Sequence, residues 1–199
     1  MKILLVGASG IIGKGIAAHL EGKHEVIAAN FNSGDVKVDL ANPESIKAML
    51  AEVGKVDAII SAAGVAVFGP LAEQTDADYA TAVENKMMGQ VNLVRFGRDY
   101  INEGGSITLT SGVLSRQPFP GTASISLVNG ALESYAKAAA LELPQLRLNV
   151  VAPVFVKETM EMMGMDSTQG VSALDTAKAY IAALEGDMSG ETLDVPDFL

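Results

Sequence analysis

The sequence predicts an α/β fold in which helices cover both faces of a doubly wound parallel sheet. An unbroken apolar run over residues 2–8 has the length of a buried strand and leads through a glycine-rich turn into a helical pattern. A second apolar run, residues 25–31, stands where a βαβ unit requires its next strand. Residues 57–64 are apolar on both faces, as a central parallel strand must be.

The first strand ends in a turn whose glycines, Gly7, Gly10 and Gly13, stand three residues apart. This spacing lets the backbone turn sharply and lets a diphosphate approach without meeting a β-carbon. The helix that follows would direct its first amide groups at the phosphates. The opening of the chain therefore predicts a dinucleotide-binding unit.

Length and composition limit the possible functions. The 199 residues fit one domain, 1–199, and the net charge of −10 disfavours nucleic acid as a partner. With no cysteine and two histidines, the chain offers no disulfide, thiolate metal site or cysteine nucleophile, and we expect no metal. No apolar stretch reaches membrane-spanning length, and the first one is too short for a signal peptide. We therefore expect a soluble, cytoplasmic protein with no membrane partner.

The ends of the predicted strands carry the candidate cofactor contacts. Asn30 ends the second strand without the carboxylate that would favour NAD, and Lys14 is either a partner for a 2′-phosphate or a solvated helix residue. After the short third strand, 36–40, Asp39 either caps the next turn or accepts a hydrogen bond from an adenine amino group. Ala62 and Ala63 leave room for a flat cofactor or for close packing under a helix.

Several segments, taken in order, resemble the short-chain dehydrogenase/reductase family over nearly the whole chain. They are the glycine turn, Asp39-Leu40, Ser-Ala-Ala-Gly at 61–64, Val-Glu-Asn-Lys at 83–86, and the strand-like runs 105–112, 148–153 and 189–195. The resemblance implies a Rossmann-like doubly wound sandwich with a central parallel sheet of about seven strands. It also implies hydride transfer between NADP(H) or NAD(H) and a small carbonyl or alcohol substrate.

In that family a tyrosine is the acid/base, a lysine lowers its pKa, a serine polarises the substrate oxygen and an asparagine supports a proton path. Asn85 and Ser111 match the asparagine and the serine. The sequence contains no Tyr-x-x-x-Lys, and the corresponding positions hold Ile125 and Asn129. The hydroxyls of Ser124 and Ser126, which flank Ile125, are further candidates for orienting a carbonyl. The residues predicted to contact the cofactor are Gly7, Ser9, Gly10, Ile11, Ile12, Gly13, Asn30, Asp39, Leu40, Ala62, Ala63, Gly64, Asn129 and Pro153.

Two functional hypotheses follow. The first is an oxidoreductase with a degenerate catalytic site, and the second is an NAD(P)-binding sensor or regulatory protein without turnover. Four methionines within residues 160–165 predict either a pliable lid over a pocket or a loop packed on the body or a neighbouring subunit. The helical patterns near 85–100 and 124–143 are apolar over most of their girth, which predicts a homodimer or homotetramer through these helices.

Overall fold

A computed structural model describes all 199 residues, and its sheet confirms the predicted fold class. Seven parallel strands form one sheet, with helices on both faces. The strands are β1 (Lys2–Val6), β2 (Glu25–Asn30), β3 (Val36–Lys37), β4 (Val56–Ser61), β5 (Ile101–Thr110), β6 (Arg147–Ala152) and β7 (Thr192–Asp194). The α-helices are α1 (Ile11–Leu20), α2 (Pro43–Val53), α3 (Asp76–Thr81), α4 (Gly89–Gly97), α5 (Ala123–Ala140), α6 (Lys157–Met162) and α7 (Ala173–Glu185).

The strand order β3-β2-β1-β4-β5-β6-β7 fixes where a ligand can enter. From β1 the chain winds outward through β2 and β3, returns to the other side of β1, and continues from β4 to β7. In open α/β sheets the crevice at such a switch point lies beyond the carboxyl ends of the strands. Here Val6 of β1 pairs with Ser61 of β4, so the crevice opens just past these two residues.

Two apolar cores hold the helices against the sheet. On one face α1 and α7 pack around the fully buried Tyr180 and Ile16, and on the other α2, α4 and α5 pack around Leu93 and Leu132. The contact between α1 and α7 is so close that a Cβ on Gly15 would lie 2.3 Å from the Ala173 carbonyl oxygen. These cores explain the unbroken apolar strands, because both faces of the sheet are covered.

Among the differences between the element boundaries and the sequence-based expectation, three lie near the predicted site. β3 ends at Lys37, since the chain turns toward α2 and the Asp39 amide donates to Ser45 Oγ at 2.9 Å. The helix predicted near 85–100 begins earlier, as α3 and a π-helical turn, Ala82–Met88, that leads into α4. Part of the methionine-rich segment is helical, in α6. None of the helices combines the length and apolar character needed to cross a bilayer.

Candidate functional site

The glycine turn after β1 has the geometry that close approach to a ligand requires. Gly7 has a φ of 86°, and a Cβ there would lie 2.8 Å from the Cβ of Ala63. A Cβ on Gly13 would lie 2.0 Å from the Gly7 carbonyl oxygen, so only glycine fits at this position. The amides of Ile11, Ile12 and Gly13 in the first turn of α1 have no acceptor within the chain. The turn therefore presents free amide donors at the switch point, as an anion site needs.

A groove beside this turn has the size and position for the adenosine half of a dinucleotide. Its lining includes Ser9, Asn30, Asp39, Leu40 and Asn85. The Asn30 Oδ1 accepts from the Ser9 amide at 2.8 Å, so the side chain braces the glycine turn. The Asp39 Oδ1 accepts from the Ala41 amide at 3.0 Å, as the capping interpretation predicts, while the residue still borders the groove.

The groove adjoins a second cavity, with Ala62, Ala63 and Gly64 as their shared wall. Ile125 and Asn129 of α5 and Pro153 after β6 line its far side. The Asn129 Nδ2 donates to the Gly112 carbonyl at 3.4 Å. Its Oδ1 is buried without a hydrogen-bond partner, which is a costly arrangement unless a ligand supplies the donor.

Lys86 is the ionisable residue in this cavity. It lies in the π-helical turn, is 7% exposed, and its aliphatic chain packs against Gly64, where a Cβ would lie 2.7 Å from the lysine Cγ. The Nζ donates one hydrogen bond, to the Ser111 carbonyl at 3.3 Å, and forms no ion pair. Burial lowers the pKa of Lys86 from 10.5 to about 8 because no anion compensates the desolvated charge.

Gln90, one turn beyond Lys86, holds the π-helical turn against the end of β5. Its Nε2 donates to the Lys86 carbonyl at 3.1 Å and to the Thr110 carbonyl at 2.8 Å, and its Oε1 accepts from the Thr110 amide at 2.7 Å. The side chain is fully buried. This clamp fixes Lys86 relative to Ser111, the next residue after Thr110.

Asn85 does not line the cavity that contains Lys86. Its Oδ1 accepts from the Val65 amide at 2.9 Å, and the residue borders the adenosine groove instead. A π-helical turn closes hydrogen bonds between residues five apart, so its side chains point in other directions than those of a regular α-helix. The neighbouring Lys86 lines the cavity instead, and the role of Asn85 in a proton path stays a prediction.

Ser111 lines the cavity, but its hydroxyl is engaged elsewhere. The Oγ donates to Glu133 Oε1 at 2.9 Å, and that carboxylate also accepts from Ser115 Oγ at 2.7 Å. Arg116 completes the cluster, with its Nε 3.5 Å from Glu133 Oε2 and its guanidinium paired with Asp194, which raises the pKa of Arg116. A substrate oxygen would have to compete with Glu133 for the Ser111 hydroxyl.

The two serines that flank Ile125 do not line the cavity. The Ser124 Oγ is fully buried, donates to the Val67 carbonyl at 2.8 Å and accepts from Gln74 Nε2 at 3.2 Å. The Ser126 Oγ donates to Thr122 Oγ1 at 3.4 Å. Since α5 carries residue 125 toward the cavity, its neighbours point to other sides of the helix, where they fix loops.

The sequence-based analysis missed Lys86, Gln90 and Glu133. The helix pattern does contain a signal for Lys86 and Gln90. Buried residues recur there at helical spacing, namely Ala82, Lys86, Gln90 and Leu93. A lysine and a glutamine on an otherwise apolar stripe indicate buried groups with a specific task.

An apolar opening, called the mouth below, adjoins the cavity. Phe68 and Phe155 belong to both the cavity and the mouth, and the ring centroids of Phe119 and Phe155 are 5.8 Å apart. Met163 and Met165 complete its rim, and no charged side chain lines it. The methionine-rich segment thus borders the opening, which is compatible with both predictions for it, a lid over a pocket and a loop packed on the body or a neighbouring subunit.

The strand order, the glycine turn and the cleft define an α/β fold of the dinucleotide-binding class. Comparison with known families narrows this class. Residues 8–185 match the family model described as enoyl-(acyl carrier protein) reductase. The chain belongs to this family, within the short-chain dehydrogenase/reductase superfamily, as the sequence-based resemblance predicted.

The similarity to individual proteins agrees with this family assignment. The chain is 30% identical to carbonyl reductase [NADPH] 2 of Sus scrofa, over 80% of this chain and 73% of that one. It is 25% identical to hydroxynaphthalene reductase arp2 of Aspergillus fumigatus, over 89% and 77% of the two chains. Among solved structures, the protein lin1944 from Listeria innocua superposes with a TM-score of 0.94 at 43% identity, covering 98% of this chain and 99% of that one. A small-chain dehydrogenase in complex with NADPH superposes with a TM-score of 0.87 at 28% identity, covering 98% and 95%.

Proposed function

We propose that the protein is an NAD(P)(H)-dependent oxidoreductase that reduces small, uncharged carbonyl compounds or oxidises the corresponding alcohols. The observation that carries the proposal is the continuity of the cleft. It runs from the glycine turn, past Ala62 and Ala63, to a cavity that holds a buried lysine and opens through an apolar mouth. Family membership and the NADPH complex of a structural relative support the choice of cofactor.

The residues present fit a nicotinamide dinucleotide. The free amides of the first turn of α1 suit its diphosphate, and the small side chains of Ala62 and Ala63 suit a flat ring. The unpartnered Oδ1 of Asn129 suits a ribose hydroxyl. No arginine follows β2, where Asn30 and Phe31 stand, so both NADPH and NADH belong in the test.

When bound, the cofactor supplies a hydride to the carbonyl carbon. The protein's own contribution is to hold the substrate in a water-poor cavity next to a proton source. The apolar mouth formed by Phe68, Phe119 and Phe155 favours uncharged and aromatic carbonyls, because a charged substrate would lose its hydration there without compensation.

A second candidate is a nucleotide-binding protein without turnover, and one observation favours it. Ile125 stands where the family's acid/base tyrosine belongs and Asn129 where its lysine belongs, so the usual proton-transfer pair is absent. Loss of a general acid typically costs two to four powers of ten in rate. The two candidates therefore differ in turnover and agree in cofactor binding.

Titration with NADPH and NADH, followed by a panel of aldehydes, ketones and quinones, separates these candidates. We expect saturable nucleotide binding, and reduction of uncharged aromatic carbonyls at least about tenfold faster than of carboxylated analogues. The double variant Ile125→Tyr/Asn129→Lys is measured in parallel. Turnover by the double variant alone would support the second candidate, and failure of the unmodified chain to bind either nucleotide would contradict both.

We further propose a homodimer formed through α4 and α5. Leu127 of α5 is 54% exposed, and the groove between the two helices is lined by Val94, Tyr135 and Ala138 together with the charged Arg95, Arg98 and Glu142. Light scattering should give twice the chain mass of 20.7 kDa or a larger even multiple. Ala138→Arg, which places a charge in the groove, should reduce that mass, and a monomer at high concentration would contradict the proposal.

A further inference from the structure

A buried lysine without an anion partner stands at the inner end of the cleft. Its ammonium has three protons to donate, and one is taken by the Ser111 carbonyl. The other two have no partner in the chain. A cation held in this way is costly, because desolvation is compensated by one neutral oxygen. Such an arrangement persists where a ligand supplies the missing acceptor.

The geometry leaves few groups to protonate a substrate oxygen in this cavity. Ile125 has no exchangeable proton, the hydroxyl of Ser111 is bonded to Glu133, and Asn129 Nδ2 is bonded to the Gly112 carbonyl. The Thr110 hydroxyl donates to the Ser61 carbonyl and contacts the Tyr180 phenol at 2.6 Å. The Thr159 hydroxyl also lines the cavity, but an alcohol is a far weaker acid than an ammonium, and Lys86 alone among the ionisable residues lines it.

We propose that Lys86 is the proton donor to the substrate carbonyl oxygen, and so takes over the acid role that Ile125 cannot fill. This inference rests on the proposed function. As the hydride from the cofactor forms the new C–H bond, the π-electron pair of the carbonyl moves to its oxygen. An Nζ–H bond of Lys86 then breaks, its proton passes to that oxygen, and an alcohol results. The neutral amine that remains recovers a proton from water through the mouth of the cavity.

The carboxylates nearest to Lys86 have other partners, so none of them forms an ion pair with its ammonium. Glu133, behind Ser111, is engaged by Ser111, Ser115 and Arg116. Asp39 lies in the adenosine groove with its Oδ1 on the Ala41 amide, and the carboxylate of Glu158 in α6 accepts from the Ala173 amide at 2.9 Å.

Two further groups near the cavity are neutral or solvated. Burial raises the pKa of Tyr180, which contacts Thr110 from the other side of β5, so this phenol stays protonated. Glu84, in the same π-helical turn as Lys86, is exposed to solvent. Lys86 therefore loses its proton close to pH 8, and the reduction should slow as the pH rises through that value.

The test compares three variants in NADPH-dependent reduction of the best carbonyl substrate. Lys86→Met removes the ammonium and its protons, whereas Lys86→Arg keeps a positive charge but does not release a proton. Lys178→Met is a matched control at an exposed lysine of α7. We expect kcat to fall at least 100-fold in both Lys86 variants, with the Kd of NADPH within about threefold of the unmodified value. The Lys178→Met variant should match the unmodified chain.

Two readouts do not depend on turnover. An NMR titration of the lysine Cε signals in the nucleotide-free protein should contain one signal with a midpoint near pH 8 that is absent from Lys86→Met. Borohydride added with substrate, in the absence of nucleotide, should leave Lys86 unmodified by mass spectrometry. A trapped adduct on Lys86 would show that the lysine forms an imine with the substrate, and it would contradict the role of Lys86 as proton donor.

The outcomes separate this inference from the proposed function. If the unmodified chain reduces carbonyls and Lys86→Met or Lys86→Arg does so within threefold, the inference is overturned and the proposed function stands. A Lys86 midpoint near its ordinary 10.5 would overturn the inference as well. Absence of nucleotide binding or turnover in the unmodified chain would overturn the proposed function and the inference with it.

Discussion

Gly13→Ala should weaken NADPH binding at least 100-fold, because the added methyl group has no room. Its Cβ would lie 2.0 Å from the Gly7 carbonyl oxygen and 2.9 Å from the Ala8 Cα, both backbone atoms. To accommodate it, the first turn of α1 must move away from β1, and the free amides of Ile11 and Ile12 move with it. A 100-fold loss corresponds to about 2.7 kcal/mol of binding free energy, the order expected when several charge-assisted hydrogen bonds are misaligned.

A graded series of glycine variants controls this experiment. A Cβ on Gly10 would lie 3.3 Å from the Gly7 carbonyl oxygen, so Gly10→Ala should have a smaller effect than Gly13→Ala. Gly130→Ala is the matched control, since a Cβ at that position of α5 meets nothing within 4 Å. Circular dichroism and thermal unfolding check that each variant folds. Unchanged NADPH affinity in a folded Gly13→Ala variant would contradict the assignment of the phosphate site.

Lys86→Met should make the ligand-free protein more stable at pH 7. Methionine has nearly the shape of the lysine chain and no charge to desolvate. The drop in the pKa of Lys86 from 10.5 to about 8 represents a penalty of roughly 3 kcal/mol, at about 1.36 kcal/mol for each tenfold change in proton affinity. The free energy of unfolding, measured with urea, should rise by up to that amount.

The pH dependence of this effect has a definite sign. Because the pKa of Lys86 is lower in the folded state, the unfolded chain binds more protons between pH 8 and 10.5. The unmodified protein therefore gains stability from this group as the pH rises through that window, and its deficit relative to Lys86→Met shrinks. Lys178→Met, at an exposed position, should show no such window. If Lys86→Met were less stable than the unmodified protein at pH 7, the ammonium would be stabilised in the folded state, and the predicted desolvation penalty would be wrong.

The main features of the fold follow from the sequence because they depend on local patterns. The apolar run of β1, the glycine spacing after it and the doubly apolar β4 each reflect burial within a covered parallel sheet. Backbone sterics at Gly7 and Gly13 allow few alternatives to the observed turn. The doubly wound parallel sheet could therefore be predicted from these segments.

The end of the cleft that holds Lys86 depends on geometry that a pattern does not encode. Within one π-helical turn, Lys86 lines the cavity and Asn85 borders the adenosine groove, although the two residues are adjacent in sequence. The direction of the Ser111 hydroxyl is set by Glu133, which lies 22 residues further along the chain on α5. Tertiary contacts of this kind decide which side chain lines the cavity, and sequence matching alone does not reveal them.

A crystal structure of the protein with NADPH tests the central claim most directly. We expect the diphosphate at the amides of Ile11 and Ile12, a ribose hydroxyl donating to the Asn129 Oδ1, and the nicotinamide ring in the cavity that Lys86 lines. A nucleotide bound away from this cleft, or crystals that remain empty at saturating NADPH, would contradict the account.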